Sequence, residues 1–160
     1  MEAWFRWLEA TPLAVRIRDG AWLFPAIETL HILGFVVLAG AAFLFDLRLL
    51  GVSRSIRVTA LARHALPWAR RSLAVLIVPT GFLLFTTQAT ELAASGVFRL
   101  KLALIALACM NALVFHRYTA RTIDAWDCDA GTPIAAKLAG ATSLMLWAAV
   151  ITCGRLLAYF

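Results

Sequence analysis

Four apolar runs, at about residues 22–50, 66–94, 97–118 and 133–159, decide what this chain can become. A membrane-crossing helix needs about 20 predominantly apolar residues. Each run supplies at least that many, so four spans use nearly all of the 160 residues and leave no room for a second domain. Composition agrees, with 62% hydrophobic residues, 15% charged residues and a mean hydropathy of +0.84. That is too few polar side chains to cover a water-soluble fold of this size. The expected fold is all-α, an integral membrane four-helix bundle surrounded by a lipid bilayer, with every backbone polar group satisfied inside a helix.

Residues 1–20 read as a short interfacial helix and a linker. Trp4, Phe5 and Trp7 recur at helical spacing among Glu2, Arg6 and Glu9, which suits headgroup depth, and Pro12 is expected to end the helix. Charges this early are not those of a signal peptide. Pro25 suits the first turn of span one and Pro133 the start of span four, whereas Pro79 falls mid-run in span two and should kink it. The net charge of +6 is a topology signal, and no nucleic-acid partner is implied. Arg48, Arg54, Arg57, Arg63, Arg70 and Arg71 fall around the first connection, and Arg117, Arg121 and Lys137 around the third, so nine of the fifteen cations share one side. The positive-inside rule makes that side cytoplasmic, in a bacterial inner membrane with both termini outside; the acids Asp124, Asp127 and Asp129 count little in the rule.

Ionisable groups inside a span are costly and mark function by default. Glu28 and His31 are one turn apart in span one, and Asp46 lies five turns beyond Glu28 on the same stripe. Lys101 opens span three, and Gln88, Glu91, Thr152 and Arg155 lie at the same outer depth. His64, Arg70, Arg71, His116 and Arg117 lie at the inner depth. Three histidines suggest metal or haem ligation, because imidazole is the commonest metal ligand and two facing histidines can hold a haem iron. The propionates of a haem need surface cations. His64 and His116 beside Arg63, Arg70 and Arg71 meet that demand, although His64 also suits a solvated loop and His116 a helix C-terminus. The alternative for His31 is a buried pairing with Glu28 or with a facing threonine. Asn111, Thr142 and Ser143 suit interhelical hydrogen bonds. Cys109, Cys128 and Cys153 form no CxxC pair, and the single Glu-x-x-His is too little for a di-iron site.

Two stretches resemble known families. Ile27-Glu28-Thr29-Leu30-His31-Ile32-Leu33-Gly34 with Phe45-Asp46-Leu47-Arg48-Leu49-Leu50 resembles the first span of the HemJ-type membrane protoporphyrinogen oxidases. Phe98-Arg99-Leu100-Lys101-Leu102 running to Val114-Phe115-His116-Arg117 resembles their third span. The same patterns resemble CopD-type copper-resistance domains and small four-span bacterial proteins. His31, Arg48, Lys101 and His116 are the positions that the resemblance carries over. The chain departs from the HemJ pattern where Glu28 or Thr29 stands in place of a lysine, and where Leu50-Gly51-Val52 holds no further histidine.

The leading expectation is a membrane protein that binds haem b and passes electrons to or from a quinone or a partner redox subunit. His31, His116 and His64 are the candidate ligands. Arg48, Arg70 and Arg71 are expected on the inner propionates, Lys101 on the outer, and Glu28 to orient His31 or carry a proton. The alternatives are a copper-handling permease using His31, His116 and Met145, a non-catalytic anchor that assembles with a larger enzyme or as a homo-oligomer, and a HemJ-like oxidase.

Overall fold

The computed structural model describes residues 2–128, 131–157 and 159; Asp129, one of the acids of the last connection, lies outside the described residues. The elements are α1 (Glu2–Glu9), α2 (Pro12–Asp19), α3 (Leu23–Leu49), α4 (Val58–Arg71), a π-helical turn (Ser72–Ile77), α5 (Val78–Thr87), α6 (Ala89–Ala94), α7 (Gly96–Arg117), a 3₁₀ segment (Thr119–Ala125) and α8 (Ile134–Leu156). Four helical stretches are long and apolar enough to cross a membrane: α3, the continuous run Val58–Thr87, α7 and α8. The fold is the expected all-helical membrane bundle.

The helices pack in the order α5 and α4 on α3, α3 on α8, and α8 on α7. No comparably close backbone packing joins α7 to α4 or α5 among the described residues. Those two walls meet at one end through the stacked rings of Phe85 and Phe98, 5.5 Å apart. The bundle therefore has a seam between span two and α7, where the two are joined by side chains alone, Phe85 and Phe98 at one end and the buried cluster of Val58 and Phe115 at the other. Its ends are called here the basic end, which carries the connections α3–α4 and α7–α8, and the far end, which carries α1, α2 and α6.

Three boundaries differ from the sequence expectation. Pro12 ends α1 but also starts a second helix, because Thr11 caps it by accepting from the Ala14 N–H at 3.3 Å and proline needs no donor at N1. Residues read as linker are thus helical. Span two begins at Val58, eight residues before the expected start, because Val58 is fully buried with Phe45, Leu49 and Phe115. It ends at Thr87, where Gln88 leaves helical geometry. Glu9 of α1 accepts from the Thr90 N–H at 2.7 Å and ties the N-terminal helices onto this break.

Pro79 does disturb span two, and the chain answers with the π turn directly before it. A proline cannot donate to the preceding turn, and a π turn absorbs that register fault. The turn is anchored to α3 where the Ser72 hydroxyl donates to the Gly34 carbonyl at 2.5 Å. A Cβ at Gly34 would come 2.9 Å from the Leu76 Cβ and 3.1 Å from the Ile77 Cγ1. Gly34→Ala is therefore expected to push α3 off the turn and cost about 1–3 kcal/mol, read as a lower thermal midpoint in detergent. An unchanged midpoint would mean that the turn yields freely.

At the basic end a single side chain organises both connections. Arg48 is 2% exposed. Its Nε donates to the Ile56 carbonyl at 2.6 Å, one terminal nitrogen donates to the carbonyls of Arg54 and Asp127 at 3.2 and 3.1 Å, and the other reaches the Thr132 hydroxyl at 3.5 Å. Asp127 in turn accepts from the Thr59 N–H at 2.8 Å and the Thr59 hydroxyl at 2.9 Å. The backbone hydrogen bond from Thr59, its hydroxyl, and the charges of Arg57 and Arg48 hold the Asp127 carboxyl below the ordinary carboxylate range. Its contribution to stability is complete above the unfolded carboxylate pKa and is lost as pH falls through the depressed folded value. Thermal melts on acidification should show that loss in the wild type and a flatter response in Asp127→Asn.

Candidate functional site

The residue that α3 turns inward at the far end is His31. Its Nδ1 lies 2.9 Å from the Thr80 Oγ1 on α5, directly after the π turn. The Thr80 hydroxyl donates to the Leu76 carbonyl at 2.5 Å, so its oxygen is left to accept from His31 Nδ1–H. This fixes the tautomer, and Nε2 keeps its lone pair with no partner among the described residues. Gly81 is what allows the ring to lie there, since a Cβ at that position would come 3.0 Å from His31 Cε1.

Lys101 on α7 completes the cluster. Its ammonium lies against Gly154 of the neighbouring α8, where a Cβ would come 3.6 Å from Nζ. Cys153, the buried neighbour of Gly154, adjoins this contact. No ion pair satisfies this ammonium among the described residues. His31, Thr80, Lys101, Cys153 and two glycines thus come from all four spans to one level near the far end, next to the seam.

The other expected site residues lie elsewhere. Glu28 is exposed and makes no bond to His31; Thr80 takes the place that Glu28 was expected to fill. Arg48 spends its donors on backbone carbonyls and closes connections. His64 and His116 are exposed, and each Nδ1 is bonded to its own helix, at Ala60 O (2.9 Å) and Ala112 O (2.8 Å). Phe45 meets Phe115, the neighbour of His116, edge to face at 5.7 Å. Phe45 is fourteen residues from His31 along α3, so His31 and His116 stand about 21 Å apart in depth. Met145 is 65% exposed on α8. Among the described residues no three of His, Cys, Asp and Glu gather as a metal-binding group. Asp46 is 5% exposed, lies opposite Ser143 and leaves Oδ2 unpartnered.

Arg70 and Arg71 are the largest departure. They were expected at the membrane surface, opening span two. The Ser72–Gly34 bond instead sets them level with the middle of α3, exposed and unpaired among the described residues. The cause is the early start of span two, which draws the basic face of α4 alongside α3. A lone charge at such depth costs roughly 2.5–3.5 kcal/mol on insertion scales. At the basic end the seam widens into a cleft of about 480 Å³, floored by Phe45, Phe115 and Ile123 and edged by Thr59, Arg63, His116 and Asp124.

The sequence reading singled out His31 and Lys101 but missed Thr80, Gly81, Cys153 and Gly154 as their surroundings. The signal for two of these was present in Pro79-Thr80-Gly81 at mid-span, where a polar side chain and a missing one follow a break in helix register. A model of a family of unknown function, DUF6644, matches residues 4–160. No curated protein and no solved structure matches the chain.

Proposed function

The chain belongs to the DUF6644 family, whose function is unknown, and from that premise and the geometry of the far end we propose that it is a membrane haem b protein in which His31 would hold the haem and Lys101 would pair with one of its carboxylates. The observation that carries this reading is the His31 ring, held through Nδ1 by Thr80 with Nε2 unpartnered. Histidines that ligate metals are held in this manner, by a second partner that fixes tautomer and orientation. The unpaired Lys101 ammonium supplies a counter-charge for a carboxylate at the same level. Gly81 and Gly154 keep the flanks of both groups narrow, and the seam lets a flat molecule enter from the bilayer. The likeness of spans one and three to HemJ-type and CopD-type proteins supports the reading, since His31 and Lys101 are two of its four shared positions.

Bound haem supplies a one-electron couple. Around it the chain's own groups fix the imidazole, neutralise a propionate and exclude water with Phe85 and Phe98 at the mouth of the seam. Electrons would pass to a quinone reaching the seam laterally or to a partner redox subunit. In this reading the basic end faces the cytoplasm of a bacterium and the His31 cluster lies in the outer leaflet, as the excess of cations at the basic end supports.

Two histidines of one iron are not part of this proposal, because His116 stands about 21 Å deeper along the bundle. The test is a pyridine haemochrome assay on the purified protein and its histidine variants. One b haem per chain in the wild type, His64→Ala and His116→Ala is the expected result. Haem that disappears with His116→Ala and survives the loss of His31 would overturn the assignment.

A further inference from the structure

The cleft at the basic end is outside the His31 cluster and has features of its own. Its floor is apolar, through Phe45, Phe115 and Ile123, and its rim is polar, through Thr59, Arg63, His116 and Asp124. It opens at the seam between α4 and α7, where span two and α7 do not pack closely. Arg63 and Arg70 are seven residues apart on α4 and so share one face, which makes Arg70 the next cation along the same wall. Both are exposed, and neither meets an acid among the described residues. Asp127, the acid closest in sequence to Asp124, is occupied by Thr59. The two side-chain ion pairs of the described residues, Arg6–Glu2 and Arg18–Asp19, lie in α1 and α2 at the far end.

An apolar floor with a cationic wall reaching toward the middle of the bundle calls for an amphiphile whose anion travels with a hydrocarbon tail. We propose that this cleft binds one anionic phospholipid, its phosphate between Arg63 and His116 on the rim, with Arg70 adding its charge from about 10 Å further along the same wall, and an acyl chain along Phe45, Phe115 and the seam. Asp124 shares the rim with Arg63 but forms no ion pair with it among the described residues, so the guanidiniums gain a counter-charge from the phosphate, and the lipid fills the seam between span two and α7. Basic pockets between membrane helices take headgroups by this combination of charge and shape. Neither haem nor His31 enters the proposal, so each can fail alone.

The test reconstitutes the full chain in nanodiscs of phosphatidylcholine with a minor fraction of phosphatidylglycerol. After detergent extraction, the lipid retained on the protein is counted by native mass spectrometry. The wild type is expected to retain about one phosphatidylglycerol per chain, and Arg63→Gln/Arg70→Gln to lose that preference by about thirtyfold. Arg63→Lys/Arg70→Lys, which keeps the charges, should retain most of it and serves as the folded control. Arg117→Gln/Arg121→Gln, which thins the basic end outside the cleft, should retain it as well. Inorganic phosphate added to phosphatidylcholine discs should neither bind nor displace the lipid. Equal retention of the two lipids by the wild type would overturn the proposal, as would an unchanged preference in Arg63→Gln/Arg70→Gln or an equal loss in Arg117→Gln/Arg121→Gln.

Discussion

His31→Ala is expected to yield a folded membrane protein whose haem content falls to background. His31 is half-buried, and its ring bond to Thr80 is one contact among several that join α3 to span two. The Ser72–Gly34 bond and the cluster of Leu38, Ala69 and Ile77 remain to hold that interface. The variant thus separates ligation from folding, which its thermal midpoint will show. Thr80→Val is the finer probe. It keeps the shape and removes the hydroxyl, so the ring loses the acceptor that fixes its tautomer. Loss of such a second partner costs about 10–100-fold in metal-site affinity. Haem titration of the apoprotein should show a weakened but spectrally similar site, whereas a purely structural Thr80 would leave affinity unchanged.

Arg48→Met should be the most destabilising single change at the basic end. It leaves the carbonyls of Ile56, Arg54 and Asp127 without their donor in a place where little water reaches. Hydrogen bonds from charged donors contribute about 1.5–3 kcal/mol each, and they are not additive within one group. A loss of at least about 3 kcal/mol follows, with early proteolysis of the connections at 50–57 and 118–133. Arg48→Lys should recover little, because an ammonium cannot fork to several carbonyls at once. Stability of Arg48→Met equal to wild type would show that the two connections hold themselves in place. Haem content in any surviving folded fraction should be normal, since Arg48 stands at the opposite end from His31.

How much of this was legible without coordinates depended on how local the signal was. The four spans follow from apolar run length alone, and a proline in mid-run announces a fault in span two. The π turn that answers Pro79, and its bond to Gly34, depend on which helix lies opposite. That information belongs to packing. Periodicity rightly placed Glu28, His31 and Asp46 on one stripe, but a stripe about 27 Å long meets different surroundings at each level. Glu28 ends exposed, His31 faces Thr80, and Asp46 is buried opposite Ser143.

Arg48 and Arg70 show the limit most clearly. Both read as surface cations near a span end. One proved to be a buried clamp because two connections fold over it. The other sits level with mid-span because Val58 is drawn into the core with Phe45 and Phe115. Neither outcome can be read from hydropathy, which counts a cation the same whether backbone carbonyls, lipid phosphate or water surrounds it. Lys101 was identified by its position in span three, yet that no acid among the described residues pairs with it becomes visible only when all four spans are set side by side.

The central claim is that the far-end cluster of His31 and Lys101 holds a haem. The most direct measurement is the absorption spectrum of the detergent-solubilised wild-type protein, expressed with haem supply intact. A Soret band with b-type bands on reduction, lost in His31→Ala and retained in His116→Ala, is the predicted result. A folded wild-type protein with no Soret absorption, before and after incubation with haem, would contradict it.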